Sequence, residues 1–232
     1  MDAIFKSALL EKAEISDSEL ELINQQTMRA LTAEEVFTFR LAACDNQIDR
    51  DGERFTEETL AGFVPLFVGR PVLMDHKWSA AMQTARVYAA EVTKSGEVQQ
   101  LMLRCYMPRS EQSAPTILAI ESGILRECSV GVQVEDAVCS ICGTKQREAW
   151  CKHCPGVEYD GKMCVMELTG AADAYEVSLV AVPSQPGAGI VKSKRYGGPD
   201  APQPGDPAGG TPEQHNEDWQ AEAALELEKN RF

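Results

Sequence analysis

The alternation of apolar and polar positions divides this chain into strands and a few short helices. Residues 1–31 carry a helical pattern: Ser16 and Glu19 stand at capping-box spacing, and Leu20, Ile23 and Leu31 follow a helical stripe. Such a segment either packs on the core or serves as a partner-binding arm. Val36 to Ala42 alternates with period two, which predicts a strand with Phe37, Phe39 and Leu41 facing inward. Thr56 then predicts the cap of a short helix carrying Leu60, Phe63 and Leu66. Val72 to His76 reads as a strand that runs out into a loop. Residues 85–92 and 98–107 predict two strands, joined by the hairpin signal Thr93-Lys94-Ser95-Gly96-Glu97. A helix over residues 114–122 has Pro115 in its first turn and Gly123 as its stop. From Cys128 the alternation returns. It puts Cys128, Val130, Val132 and Val134 on a buried face and Ser129, Gly131 and Gln133 on the other. Gly131 is expected to leave room there for another backbone to approach. Residues 165–168 and 174–182 predict further strands, the second stopped by Pro183.

Two stretches break the strand pattern. Residues 139–164 hold five of the chain's eight cysteines, and from Ser193 onward the chain becomes rich in Pro and Gly. The run from Gly197 to Pro207 predicts a flexible linker, with a short polar helix over residues 218–229 after it. The organisation that follows is a helical segment (1–33), a main domain (34–192) interrupted by an insertion (137–166), and a tail (193–232). The acidic loop from Asp45 to Gly52 has the look of a calcium loop. Arg50, however, stands where the sharp-turn glycine belongs if Asp45 is the first ligand, so the loop reads as a turn.

Charge and composition narrow the classes of function. A net charge of -14 over 232 residues repels phosphate backbones and argues against nucleic-acid binding. No apolar run approaches the roughly 18 residues that a membrane span needs, and the first residues lack the pattern of a signal peptide. Clustered cysteines without a secretory signal point to a metal site rather than a disulfide framework.

The pairs Cys139/Cys142 and Cys151/Cys154 are CxxC knuckles, the first followed by Gly143. Four sulfurs so spaced suit tetrahedral Zn2+, with His153 or Cys164 as alternative ligands. Such a donor set leaves no position for water, so the expected zinc is structural. Of three histidines, His215 lies in the tail and His153 in the cysteine cluster, which leaves His76 as the base available to a folded core. Glu176 is the one carboxylate within the apolar run from Ala174 to Val182. If buried, it needs a neutralising partner such as an imidazolium. Ser129 opens away from the apolar face. Cys128 beside it is a rival nucleophile, but its parity points it into the core.

Several of these pieces together resemble the prohead proteases of tailed phages, capsid-maturation serine proteases related in fold to herpesvirus assemblin. They are Gly69-Arg70-Pro71-Val72 leading to His76, Gly123-Ile124-Leu125 leading to Ser129-Val130-Gly131, and Glu176-Val177-Ser178-Leu179-Val180 before Pro183. The likeness spans residues 34 to 191. The insertion resembles one found in a subset of these proteins, where the pattern is similar to Cys139, Cys142, Cys151 and His153, with Cys164 further on; Cys154 departs from it. The resemblance implies an α+β, mainly β fold, a small closed β-barrel flanked by helices. It implies Ser129 as nucleophile, His76 as general base and Glu176 as the orienting group. It also implies what the protein acts on. Such a protease cleaves the scaffolding segment of the major capsid protein, and itself, inside the procapsid in the host cytoplasm. The expected partners are therefore the capsid protein and further copies of the chain. The alternative is a non-enzymatic, zinc-bearing scaffold or interaction protein of the procapsid built on the same barrel.

Overall fold

The structure, a computed structural model, describes residues 15–191. The expected helix over residues 1–14 and the tail over 193–232, with its linker and polar helix, lie outside them. Helix α1 (Asp17–Asn24) opens on the expected capping box, with the Ser16 side chain accepting from the Glu19 amide. It ends earlier than the apolar pattern predicts. The Asn24 side chain takes both the N–H and the C=O of Leu31, which ties residues 25–31 into an irregular return. Ile23 is fully buried against Val36, Tyr88 and Tyr106, so this segment packs on the sheet.

The strands follow. β1 (Val36–Asp45) leads through the acidic turn to β2 (Glu53–Phe55). Helix α2 (Glu57–Phe67), capped by Thr56, buries Leu60, Phe63 and Phe67. These stand at i, i+3 and i+7, a stripe that leaves the expected Leu66 only half-buried. β3 (Pro71–Met74), β4 (Ala85–Ser95) and β5 (Val98–Pro108) come next, the last two joined at Gly96-Glu97. Helix α3 (Ala114–Glu121) stops at Gly123, whose φ of 75° is of the kind glycine adopts freely. β6 (Cys128–Cys139) and β9 (Met166–Leu179) flank the insertion, which holds the small hairpin β7 (Glu158–Tyr159) and β8 (Lys162–Met163); β10 (Gly189–Val191) is last. The two short strands expected over 165–182 are thus one long strand that ends at Leu179. It runs on because two register shifts against β6, at Tyr175 and Ala172, absorb the irregularity within one strand.

The strands form a mixed sheet in the order β10-β1-β5-β4-β3-β9-β2, with β6 on the other edge of β9. Only the pairings of β9 with β2 and β3 are parallel. The fold is therefore mainly β with flanking helices, as expected, but no ladder closes it into a barrel among the described residues. A single bridge, Glu127 to Gly189, joins the start of β6 to β10. The main core cluster includes Phe39, Leu41, Phe63, Leu103, Val177 and Leu179.

Candidate active site and metal cluster

β3, β9 and β6 lie side by side, and this order places the expected residues on or beside three neighbouring strands. Ser129 on β6 stands directly across from Ser178 on β9, and Gly131 across from Glu176. Residues two apart on a strand share a face, so Ser129, Gly131, Glu176 and Ser178 line one side of the sheet. β3 pairs with the opposite edge of β9, with Leu73 beside Ser178, and His76 follows just past its end.

The chain turns sharply there. Asp75 and His76 both adopt left-handed backbone conformations, with φ of 53° and 52°. Non-glycine residues enter this region at a cost and cluster at functional sites. The turn is held from both sides: the Asp75 amide donates to Leu179 O and the Lys77 amide to Met74 O, each at 3.0 Å. The His76 amide donates to Ser178 Oγ at 3.0 Å. The turn swings the imidazole back over β9, where Nδ1 lies 2.7 Å from Glu176 Oε1.

Glu176 is 2 % exposed, so its charge is removed from water and depends on the groups around it. His76 occupies one carboxylate oxygen. The other accepts from the Ser178 hydroxyl at 2.5 Å. The partner expected for a buried Glu176 is therefore present, and a second one, Ser178, is one that sequence reasoning missed. Its signal was available: a serine two residues from Glu176 on the same strand must share its face. The space at Gly131 also differs from expectation. It admits the Glu176 side chain, not a second backbone.

Ser129 is half-buried, and its hydroxyl makes no hydrogen bond with His76 in this structure. His76 Nε2 has no hydrogen-bond partner among the described residues, so the ring nitrogen a base would use is free. Cys128 is fully buried, donates its thiol to Ala42 O at 3.3 Å, and is pushed up to about 12 in pKa by burial and by Glu127. A thiol so placed is inert toward a peptide.

At the far end of the β6–β9 pair, Cys139, Cys142, Cys151 and His153 bring their donor atoms within 4.8 Å of one another. Cys139 Sγ is 3.7 Å from His153 Nδ1 and 3.9 Å from Cys164 Sγ. Hydrogen bonds from the Thr144 hydroxyl and amide draw the Cys142 thiol down to about 6, which favours the thiolate that a metal needs. Gln146 donates to Cys151 Sγ, and Tyr159 sets its ring edge-on to His153. Three thiolates and an imidazole fit a structural metal, with no place left for water. Cys154, expected among the four ligands, lies outside the group and is exposed, while His153 takes its place. The Cys154 amide donates to the Tyr159 hydroxyl at 3.0 Å.

No family model, curated protein or solved structure matches this chain. No helix among the described residues is long and apolar enough to cross a membrane.

Proposed function

We propose that the chain is a serine endopeptidase of phage capsid maturation, with Ser129 as nucleophile, His76 as general base and Glu176 as the group that orients the base. The observation that carries this reading is the 2.7 Å contact between His76 Nδ1 and the buried carboxylate of Glu176, made by a histidine in a left-handed turn, with the Ser129 strand on the far edge of the strand that bears Glu176. A serine hydroxyl is a weak nucleophile until a base takes its proton. The carboxylate fixes the tautomer with hydrogen on Nδ1, so Nε2 carries the lone pair, and it stabilises the imidazolium that forms. The missing Ser129–His76 hydrogen bond is no obstacle, since such bonds are often loose without substrate. On this reading the assemblin-like barrel closes through the Glu127–Gly189 bridge. The metal is structural zinc, held by Cys139, Cys142, Cys151 and His153. The substrates are the scaffolding segment of the major capsid protein and the chain itself, within the procapsid in the host cytoplasm.

The same missing hydrogen bond favours the second reading, a non-enzymatic zinc-bearing scaffold on the same fold. Co-expression with the cognate capsid protein separates the two, with cleavage sites read by mass spectrometry. The wild type should trim the capsid chain, and a fluorophosphonate label should map to Ser129. Ser129→Ala and His76→Ala should each cost about a million-fold in turnover, with the double variant little worse than either. Cleavage that survives Ser129→Ala but not Cys128→Ala would reassign the nucleophile. A wild type that neither cuts nor takes the label leaves the scaffold reading.

A further inference from the structure

A cavity of about 360 Å³ opens beside Ser129. Phe55, Val132 and Leu168 give it apolar walls, while Asp49, Asp51 and Glu53 line it as well. No lysine, arginine or histidine lines it, and none of the three acids forms an ion pair among the described residues. Asp49 Oδ1 accepts from the Asp51 and Glu53 amides, each at 2.9 Å, while the Asp51 and Glu53 carboxylates have no such partner among the described residues. Glu53 shows the consequence: burial raises its pKa, and Asp49 and Asp51 raise it further.

The strand that borders the cavity has an open edge. β6 pairs with β9 on one side only. On the other side the Cys128 amide donates to Ala188 O, and at the far end Val134 O accepts from the Arg147 guanidinium at 2.9 Å. Between these two closures no strand among the described residues pairs with the edge of residues 129–133 that faces away from β9. Strand alternation turns the N–H and C=O of Val130 and Val132 to that edge, since Cys128 and Val134 of the same parity bond outward there. Unpaired backbone of this kind receives an extended peptide by strand addition.

We propose that the cavity is a specificity subsite for a lysine or arginine side chain of an extended peptide lying along Ser129–Gln133. The proposal rests on the endopeptidase reading and deepens it. The aliphatic stem of a basic side chain packs against Phe55 and Leu168 while its cation meets Asp49, Asp51 and Glu53, a division that suits long basic side chains. Because Ser129 itself lines the cavity, and strand residues rise about 3.3 Å each, the basic residue sits within about two positions of the scissile bond. The acidic wall is braced by the metal-binding insertion: Pro155 packs on Gly52 so closely that a Cβ there would lie 2.6 Å from Pro155 Cβ, and Gly52 O accepts from the Met166 amide. An acidic turn that sequence reasoning leaves as a plain connection thereby becomes one wall of the site.

The test uses full-length protein and lysine-scanning decapeptides, each paired with a norleucine counterpart of the same length. Cleavage by the wild type should favour lysine at one fixed position near the cut by about tenfold, and the preference should shrink as salt rises. Asp49→Asn/Asp51→Asn/Glu53→Gln should erase the preference and leave cleavage of the norleucine peptides in place. Affinity of Ser129→Ala protein for the same pairs is the second readout. Lysine preference in binding without any cleavage by the wild type keeps the subsite and removes the protease reading. Equal handling of lysine and norleucine in both readouts, or a preference that survives the triple variant, overturns the subsite whatever happens to cleavage.

Discussion

Glu176 lies over the α-carbon of Gly131 on the neighbouring strand: a Cβ at Gly131 would come within 3.3 Å of Glu176 Cγ, 3.2 Å of Cδ, and closer still to Oε1. The carboxylate cannot swing aside, because His76 holds one oxygen and Ser178 the other. The backbone of Gly131 is not in the left-handed region, so the barrier to any other residue is steric alone.

Gly131→Ala should therefore act through Glu176. Overpacking of this kind costs about 1–3 kcal/mol of stability. The larger effect should fall on turnover, since the displaced carboxylate loses its contact with the imidazole. Denaturant melts and peptide cleavage measured on the same preparation check this. Activity that drops no more than stability would mean that the carboxylate keeps its place.

Ser178 is the second position to probe. Its hydroxyl donates to Glu176 and accepts from the His76 amide, and the residue is fully buried. Ser178→Ala leaves a carboxylate oxygen and an amide short of a partner, at a cost of about 1–3 kcal/mol. Turnover should fall about 10–100-fold, as when supporting hydrogen-bond partners are removed elsewhere. Ser178→Thr keeps the hydroxyl and should retain more activity than the alanine variant. The two variants compared for turnover at equal folded fraction separate positioning from mere folding.

Much of this was legible in local chemistry. Ser16 and Thr56 cap their helices, Gly96 turns a hairpin and Gly123 stops α3, because each requirement lies within a few residues. His76, Ser129 and Glu176 emerge from scarcity and parity, and the sheet brings their strands together. What sequence could not supply depends on partners distant in the chain. The left-handed turn at His76 is held by Leu179 and Ser178, about a hundred residues away. The length of β9 depends on register shifts against β6. In the second knuckle Cys151, His153 and Cys154 offer three donors within four positions. The fold selects among them by tying the Cys154 amide to Tyr159. Closure of the sheet is likewise a matter of pairing between strand ends, which periodicity along one strand does not encode.

Glu53 gives a pH-dependent prediction. Its folded-state pKa is raised, first by burial and then by Asp49 and Asp51. An acid whose folded pKa lies above its unfolded value, about 4.3, stabilises the fold fully only below that unfolded value. That contribution is lost as pH rises through the folded pKa. Glu53→Gln should therefore be more stable than the wild type at neutral pH, and the difference should shrink as pH falls toward the unfolded value. Urea melts of both proteins across that range test the sign. A difference that grows on acidification would contradict it. The substitution should at the same time weaken the lysine preference, so the acid costs stability where it serves recognition.

The metal cluster yields the last prediction. Freshly purified protein should carry about one zinc per chain. Cys142→Ser, Cys151→Ser and His153→Ala each remove a donor from the group within 4.8 Å and should release the metal at lower chelator concentration. Cys154→Ser should leave affinity unchanged, because that thiol is exposed and lies outside the group. Cys164 is the informative control: its buried thiol sits 3.9 Å from Cys139 Sγ, so Cys164→Ser should disturb packing more than metal content. Zinc binding can supply on the order of 10 kcal/mol of folding free energy in small fingers. Here the strands have their own core, so chelation should loosen residues 137–166 first, with the Ser129 end of β6 following only in part. Amide exchange with and without chelator reads that order directly. The 49–53 turn should loosen with the insertion, because Pro155 rests on Gly52. Chelation should therefore lower selectivity for basic peptides before it lowers turnover of neutral ones. Metal-free protein with all five clustered thiols freely titratable would remove the site. Loss of zinc on Cys154→Ser with retention on His153→Ala would restore the four-cysteine set.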